Sequence, residues 1–118
     1  MRIISGTARG TKLYTLDGMN TRPTLDRVKE PLFNIINFDL EDAVVLDLFA
    51  GSGALGLEAI SRGAKKAFFC EKNREAVLVV EKNIEKTKFN DKAILIKTDF
   101  EKAIMQLQNQ NEKIDVVF

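Results

Sequence analysis

The chain has 118 residues, 45% hydrophobic and 30% charged, with eight Phe, one Cys and neither Trp nor His. That apolar content can bury the core of one domain, which argues against disorder, and no apolar run approaches the ~20 residues of a membrane span. One cysteine excludes an internal disulfide and a cysteine-cluster zinc site; the lack of His excludes Ser-His-Asp and Cys-His catalysis and the commonest transition-metal ligand. Met1–Gly6 carries no apolar core of a signal peptide, so the expectation is a cytoplasmic, metal-free domain. The charge is nearly balanced, 18 bases against 17 acids, yet unevenly spread. Residues 1–38 hold Arg2, Arg9, Lys12, Arg22, Arg27 and Lys29 against Asp17, Asp26 and Glu30, and the rest leans acidic. Such a basic end suits a polyanion gripped from one side.

Residues 1–16 read as a hairpin. Arg2-Ile3-Ile4 and Thr11 to Leu16 are extended by type, with turn residues from Gly6 to Gly10. Asp17-Gly18-Met19-Asn20 is a second turn. A helix follows, capped by Thr24, with Val28, Leu32, Phe33, Ile35 and Ile36 on its buried stripe. Pro31 lies inside that stripe and predicts a kink near Glu30, or two helical pieces.

From residue 44 strands and helices alternate. Val44–Phe49 is a strand too apolar to leave one face in water, Gly51–Gly53 a tight turn, and residues 53–62 a helix with Leu57 and Ile60 inward and Gly63 as its stop. Ala67–Glu71 is a second strand. Asn73 caps a helix to about residue 88, with Val77, Val80 and Ile84 buried. Ala93–Lys97 is a third strand, residues 100–109 a helix with Ala103, Ile104 and Leu107 inward, and Ile114–Phe118 a fourth strand. This alternation predicts an α/β fold, a parallel sheet with crossover helices, which binds ligands beyond the carboxyl ends of its strands. Stopping on an apolar strand reads as an incomplete chain, truncated after the fourth strand, with an exposed sheet edge. Two parts are expected: residues 1–40, hairpin and helix, and residues 41–118, the alternating half.

Chemistry concentrates in Asp47-Leu48-Phe49-Ala50-Gly51-Ser52-Gly53-Ala54-Leu55-Gly56. Three glycines after a strand and opening a helix match a dinucleotide fingerprint. Glu71, ending the next strand, can accept from two ribose hydroxyls. Both features fit NAD and an adenosyl ligand equally. Asp47 separates them. Its charge opposes a pyrophosphate on the turn and suits S-adenosylmethionine, which brings a sulfonium and an ammonium. At ~4 Å and an effective dielectric near 20, one such pair is worth roughly 4 kcal/mol before desolvation. The alternative is a strand-end acid capping the loop backbone. Asp99 either accepts from the adenine amino group, with Phe100 on the adenine face, or caps the third helix, and the two roles are compatible. Cys70 reads as inert core.

The run Val45–Ala64 resembles the first motif of class I methyltransferases. More narrowly it is similar to the RsmD-type methylases of small-subunit ribosomal RNA, as are Met1–Gly6, Arg9-Gly10 and Thr21–Ile35. The resemblance implies a Rossmann-like fold and S-adenosylmethionine-dependent methylation of a guanine exocyclic amine. It assigns Asp47 through Gly53, with Phe49, Ala50, Gly51 and Ser52 between them, to the cofactor's methionine end, Glu71 to its ribose, and Asp99 with Phe100 to adenine; Gly56, Lys72 and Asn73 join the cofactor-binding set. Arg22, Pro23 and Thr24 would cover the cofactor. Arg2, Arg9, Lys12, Arg22 and Arg27 would contact the phosphates of ribosomal RNA, free or in an assembling subunit. The family's catalytic Asp-Pro-Pro-Tyr, or its Phe variant, is absent. Asp115 lies too early to replace it, so the expectation is a catalytically silent polypeptide. Other RNA or DNA bases, a non-catalytic RNA-binding remnant and a nicotinamide-dependent oxidoreductase are the competing readings.

Overall fold

Four parallel strands in the order β3-β2-β1-β4 form the centre of the molecule. The computed structural model describes residues 1–16 and 23–118. After the N-terminal arm, residues 1–16, the order is α1 (Pro23–Ile36), a 3-10 turn (Asn37–Asp39), β1 (Val44–Asp47), α2 (Ala54–Ser61), β2 (Lys66–Cys70), α3 (Arg74–Thr87), β3 (Ala93–Ile96), α4 (Phe100–Asn109) and β4 (Val116–Val117). Register is tight at the centre, with Val45 opposite Ala67 and Leu46 opposite Phe68. The chain steps outward from β1 through β2 to β3, then returns to the other side of β1. That reversal is a topological switch point, where open α/β sheets hold ligands.

Strand alternation divides the core in two. Val45, Ala67 and Phe69 join Leu57, Ile60, Val80 and Ile84 on the α2–α3 face, together with Ile3 and Leu13 of the arm and Phe33 of α1. Leu46, Phe68, Cys70 and Ile96 meet Ala103 and Leu107 of α4 on the other face. Both faces of the central strands are therefore covered, as their apolar sequences require.

Several expectations need correction. The arm turns back on itself as expected, but it is joined by a single antiparallel bridge, Arg2 to Lys12, rather than two strands. The turn expected at 17–20 lies outside the described residues. The helix begins at Pro23, so Thr24 sits in its first turn and not at its cap; a first-position proline loses no helical hydrogen bond. Pro31 is accommodated inside one helix, not between two. The buried stripe of α1 is rotated. Lys29 (1% exposed) and Phe33 (0%) face inward, while Val28 (47%) and Ile35 (77%) are exposed. Burial of Lys29 is dictated by a carboxylate across the interface, Glu58 of α2, 3.0 Å away. In α4, Ile104 is also exposed, leaving Ala103 and Leu107 as the inward pair. Strands β1 and β4 are shorter than read.

Candidate functional site

The glycine turn links β1 to α2, and its shape follows from two residues. Gly53 takes a φ of 84°, a conformation that L side chains rarely adopt. Gly56 serves packing instead: a Cβ there would lie 2.3 Å from the buried Phe69 ring, so only glycine lets α2 close on β2. The turn is fixed at three points. Gly51 N–H donates to Glu71 Oε1 at 2.9 Å, Gly53 N–H donates to the Ala50 carbonyl at 2.7 Å, and Asn83 Nδ2 donates to the Ser52 carbonyl at 2.8 Å.

Asp47 lies beneath this turn, 2% exposed. Burial pushes its carboxyl up from 3.8 to about 7; the Gly56 and Phe49 amides pull it back, and the Glu71 charge raises it. The capping role foreseen for it is thus real, since Gly56 is an early residue of α2 with no helical acceptor. It is also incomplete. Oδ2 of Asp47 is buried with no hydrogen-bond partner among the described residues. A buried carboxylate oxygen of this kind is costly until a cation or a donor reaches it. This orphaned oxygen fits the ammonium or sulfonium end of S-adenosylmethionine and repels a pyrophosphate.

Beside the turn, at the carboxyl ends of the strands, opens a cavity of about 570 Å³ lined by Phe49, Glu71, Lys72, Asp99, Phe100 and Met105, among others. That volume is ordinary for a small-molecule site. Phe49 and Phe100 are its exposed aromatic rim, ring centroids 5.5 Å apart. Glu71 is less free than its sequence position implies: Oε1 accepts from Gly51 and Oε2 from Asn73 N–H at 3.0 Å. Each oxygen keeps a second lone pair for a hydroxyl. Asp99 is the cap of α4, accepting from Lys102 N–H at 2.9 Å, and it also lines the cavity.

Other assigned residues act from further back. Asn73 caps α3 through Ala76 N–H, Ala50 N–H is tied to the Cys70 carbonyl, and Gly56 is packed against Phe69. Arg22 and the side chains of Pro23 and Thr24 lie outside the described residues. Burial pushes the Cys70 thiol up, helped by Glu71, Asp99 and Asp47, so it stays a protonated core group. Of the basic residues, Arg2 and Arg9 flank one groove that also contains Glu30, and Lys12 stands opposite Arg2 in the bridge. Arg27 is exposed on α1.

Two residues that sequence reasoning passes over organise the site. Asn83 of α3 is fully buried; it accepts from Tyr14 N–H at 2.8 Å, donates to the Tyr14 carbonyl at 3.0 Å, and holds Ser52 as described. Glu58 of α2, also fully buried, accepts from Ile4 and Ser5 N–H and pairs with Lys29 and Arg62. Burial pushes Glu58 up, but Arg62, the Ile4 amide and Lys29 together outweigh it and hold its carboxyl below 4.5. A signal exists for both: each polar residue interrupts the apolar stripe of its helix. Among the described residues no group of three or more potential ligands could hold a metal, and no helix is long and apolar enough to cross a membrane.

The family model described as conserved hypothetical protein 95 matches residues 1–118. The ribosomal RNA small subunit methyltransferase D of Haemophilus influenzae is 43% identical over 119 aligned residues, covering 100% of this chain and 61% of that protein. Its counterpart in Escherichia coli K12 is 50% identical over 84 residues, 71% of this chain and 42% of that one. The solved structure of a hypothetical protein from Thermus thermophilus superposes with a TM-score of 0.86 at 33% identity, over 100% of this chain and 67% of that one. The chain spans about half the length of the curated relatives it matches. The sheet order, the crossover helices and the glycine turn are those of the Rossmann-like class I methyltransferase fold. Matched from end to end by the family model, the chain belongs to the RsmD-type methyltransferase family.

Proposed function

We propose that these residues form the cofactor-binding part of an S-adenosylmethionine-dependent enzyme that methylates the exocyclic amine of a guanine in small-subunit ribosomal RNA. The observation that carries the reading is Oδ2 of Asp47, buried under the glycine turn and without a partner among the described residues. It asks for a cationic ligand where a nicotinamide coenzyme would bring phosphates. The names of the relatives, small-subunit rRNA methyltransferases, support the RNA substrate.

This reading gives each residue a role. Asp47 draws the positively charged methionine end, and the glycine turn admits it against bare backbone. Glu71 offers its remaining lone pairs to ribose hydroxyls. Asp99, which lines the cavity with Phe49, Phe100 and Lys72, receives the adenine edge. Arg22, Pro23 and Thr24 cover the cofactor in this reading. When bound, the sulfonium supplies an electrophilic methyl on a good leaving group. The guanine amine is a poor nucleophile, so its N–H groups need acceptors that aim the lone pair, and a stacked aromatic to hold the base. The family's Asp-Pro-Pro-Tyr would do this work, and these 118 residues contain no such tetrapeptide. In this reading these 118 residues supply the cofactor side of the site.

Residues 1–40 face the RNA in this reading, and residues 41–118 hold the cofactor. Arg2 opposite Lys12 supports the division, because like charges facing each other repel unless an anion lies across them. Calorimetry of the chain with S-adenosylmethionine, S-adenosylhomocysteine and NAD tests the proposal. Binding of the two adenosyl compounds and not of NAD is expected; the opposite pattern would overturn it.

A further inference from the structure

Two lysines of α3 converge on an exposed ring of the arm. Tyr14 is half exposed. Lys86 Nζ lies 4.7 Å from its ring centroid and Lys82 Nζ 6.0 Å. Lys86 also donates to the Lys12 carbonyl, which uses one of its three N–H groups and leaves two for an anion. Glu81 on the same helix is occupied with Lys97 at 3.5 Å, while Glu85 is exposed nearby in sequence.

The ring's position is not incidental. Asn83 holds both the N–H and the carbonyl of Tyr14, and the same amide holds Ser52 of the glycine turn. The backbone that carries the ring is therefore one side chain, Asn83, away from the turn. An exposed aromatic face beside cations is the combination that binds single-stranded nucleic acid: the ring stacks on a base, and the lysines take the flanking phosphates. An acidic protein segment would use the lysines and gain nothing from the ring.

We propose that Tyr14, Lys82 and Lys86 form an RNA platform, with Tyr14 stacking on an unpaired base beside the cofactor site. This rests on the RNA reading above and extends it from the N-terminal basic residues onto α3.

The test is fluorescence anisotropy of the 118-residue chain with an unmodified small-subunit rRNA transcript, titrated across salt concentrations. The K82Q/K86Q double variant binds more weakly, and its slope of log affinity against log salt is shallower by about 1.4–1.8, the loss of two phosphate contacts. Y14L loses roughly 5- to 100-fold in affinity with the slope unchanged, and Y14F keeps most of it. All three variants keep the wild-type melting temperature within a few degrees and bind S-adenosylhomocysteine normally. Wild-type RNA affinity and slope in K82Q/K86Q and Y14L overturn the platform alone. A wild-type chain that binds S-adenosylhomocysteine but no RNA overturns the RNA reading itself. Competition by polyglutamate as effective as by RNA reassigns the patch to an acidic protein and also overturns the proposal.

Discussion

The Asp47 carboxyl couples the cofactor turn to pH. In the folded chain it titrates near 7, against 3.8 for an ordinary aspartate. Between those values the folded state keeps a proton that the unfolded state has lost. The Asp47 contribution to stability is therefore fullest below about pH 4 and is lost as pH rises toward 7, by on the order of 4 kcal/mol in all. Glu58, held below 4.5, acts in the opposite sense: its contribution is present above that value and fades as pH falls. Asp47→Asn should flatten the neutral part of the profile and raise the melting temperature at pH 8, while weakening S-adenosylmethionine binding at least tenfold. Thermal unfolding at pH 5 and pH 8 checks the first outcome, calorimetry the second. A cationic ligand selects the ionised carboxylate, so affinity should climb by up to tenfold per unit from pH 5 to 7 and then level off. Titrations in buffers of different ionisation heat should show a proton released on binding below pH 7; no release would count against Asp47 as the cation's partner.

At the scale of elements, the contact of α2 with β2 is the least forgiving. Gly56→Ala places a methyl 2.3 Å from the Phe69 ring, and should destabilise the chain by about 1–3 kcal/mol, read in urea unfolding. Asn83→Ala orphans the polar backbone of Tyr14 and the Ser52 carbonyl, at about 1–3 kcal/mol per buried group left unpaired. Hydrogen exchange should show the Tyr14 amide losing protection, and cofactor affinity should fall roughly tenfold as the turn loosens. The same elements show what can be read from the sequence. The strands, the glycine turn and the caps Asn73 and Asp99 are legible because each depends on local chemistry: period, turn geometry and a side chain reaching its own helix. The burial of α1 is not, because an apolar stripe cannot reveal that Lys29 is drawn inward by a carboxylate 29 residues later. Asp47 and the cavity wall are legible for the same local reason, since both sit at strand ends. Asn83 escapes because its partners are backbone groups, which a sequence does not display.

In the molecule as a whole, Glu58 joins three parts. Its two oxygens collect Ile4 and Ser5 of the arm, Lys29 of α1 and Arg62 of its own helix. Removing one member of such a buried group strands the others. Glu58→Gln should cost ~3–5 kcal/mol, a large part of what a domain this size commands, and calorimetric melting would show it. A loss below about 1 kcal/mol, the worth of an exposed ion pair, would mean that the cluster is solvated and mechanically unimportant. The arm's dependence on Glu58, Ser61 and Asn83 carries a temporal consequence. Residues 1–16 leave the ribosome before the groups that seat them, which are translated tens of codons afterwards. The arm cannot make its full set of contacts until both α2 and α3 have emerged. Birth order and assembly order run in opposite directions in this chain.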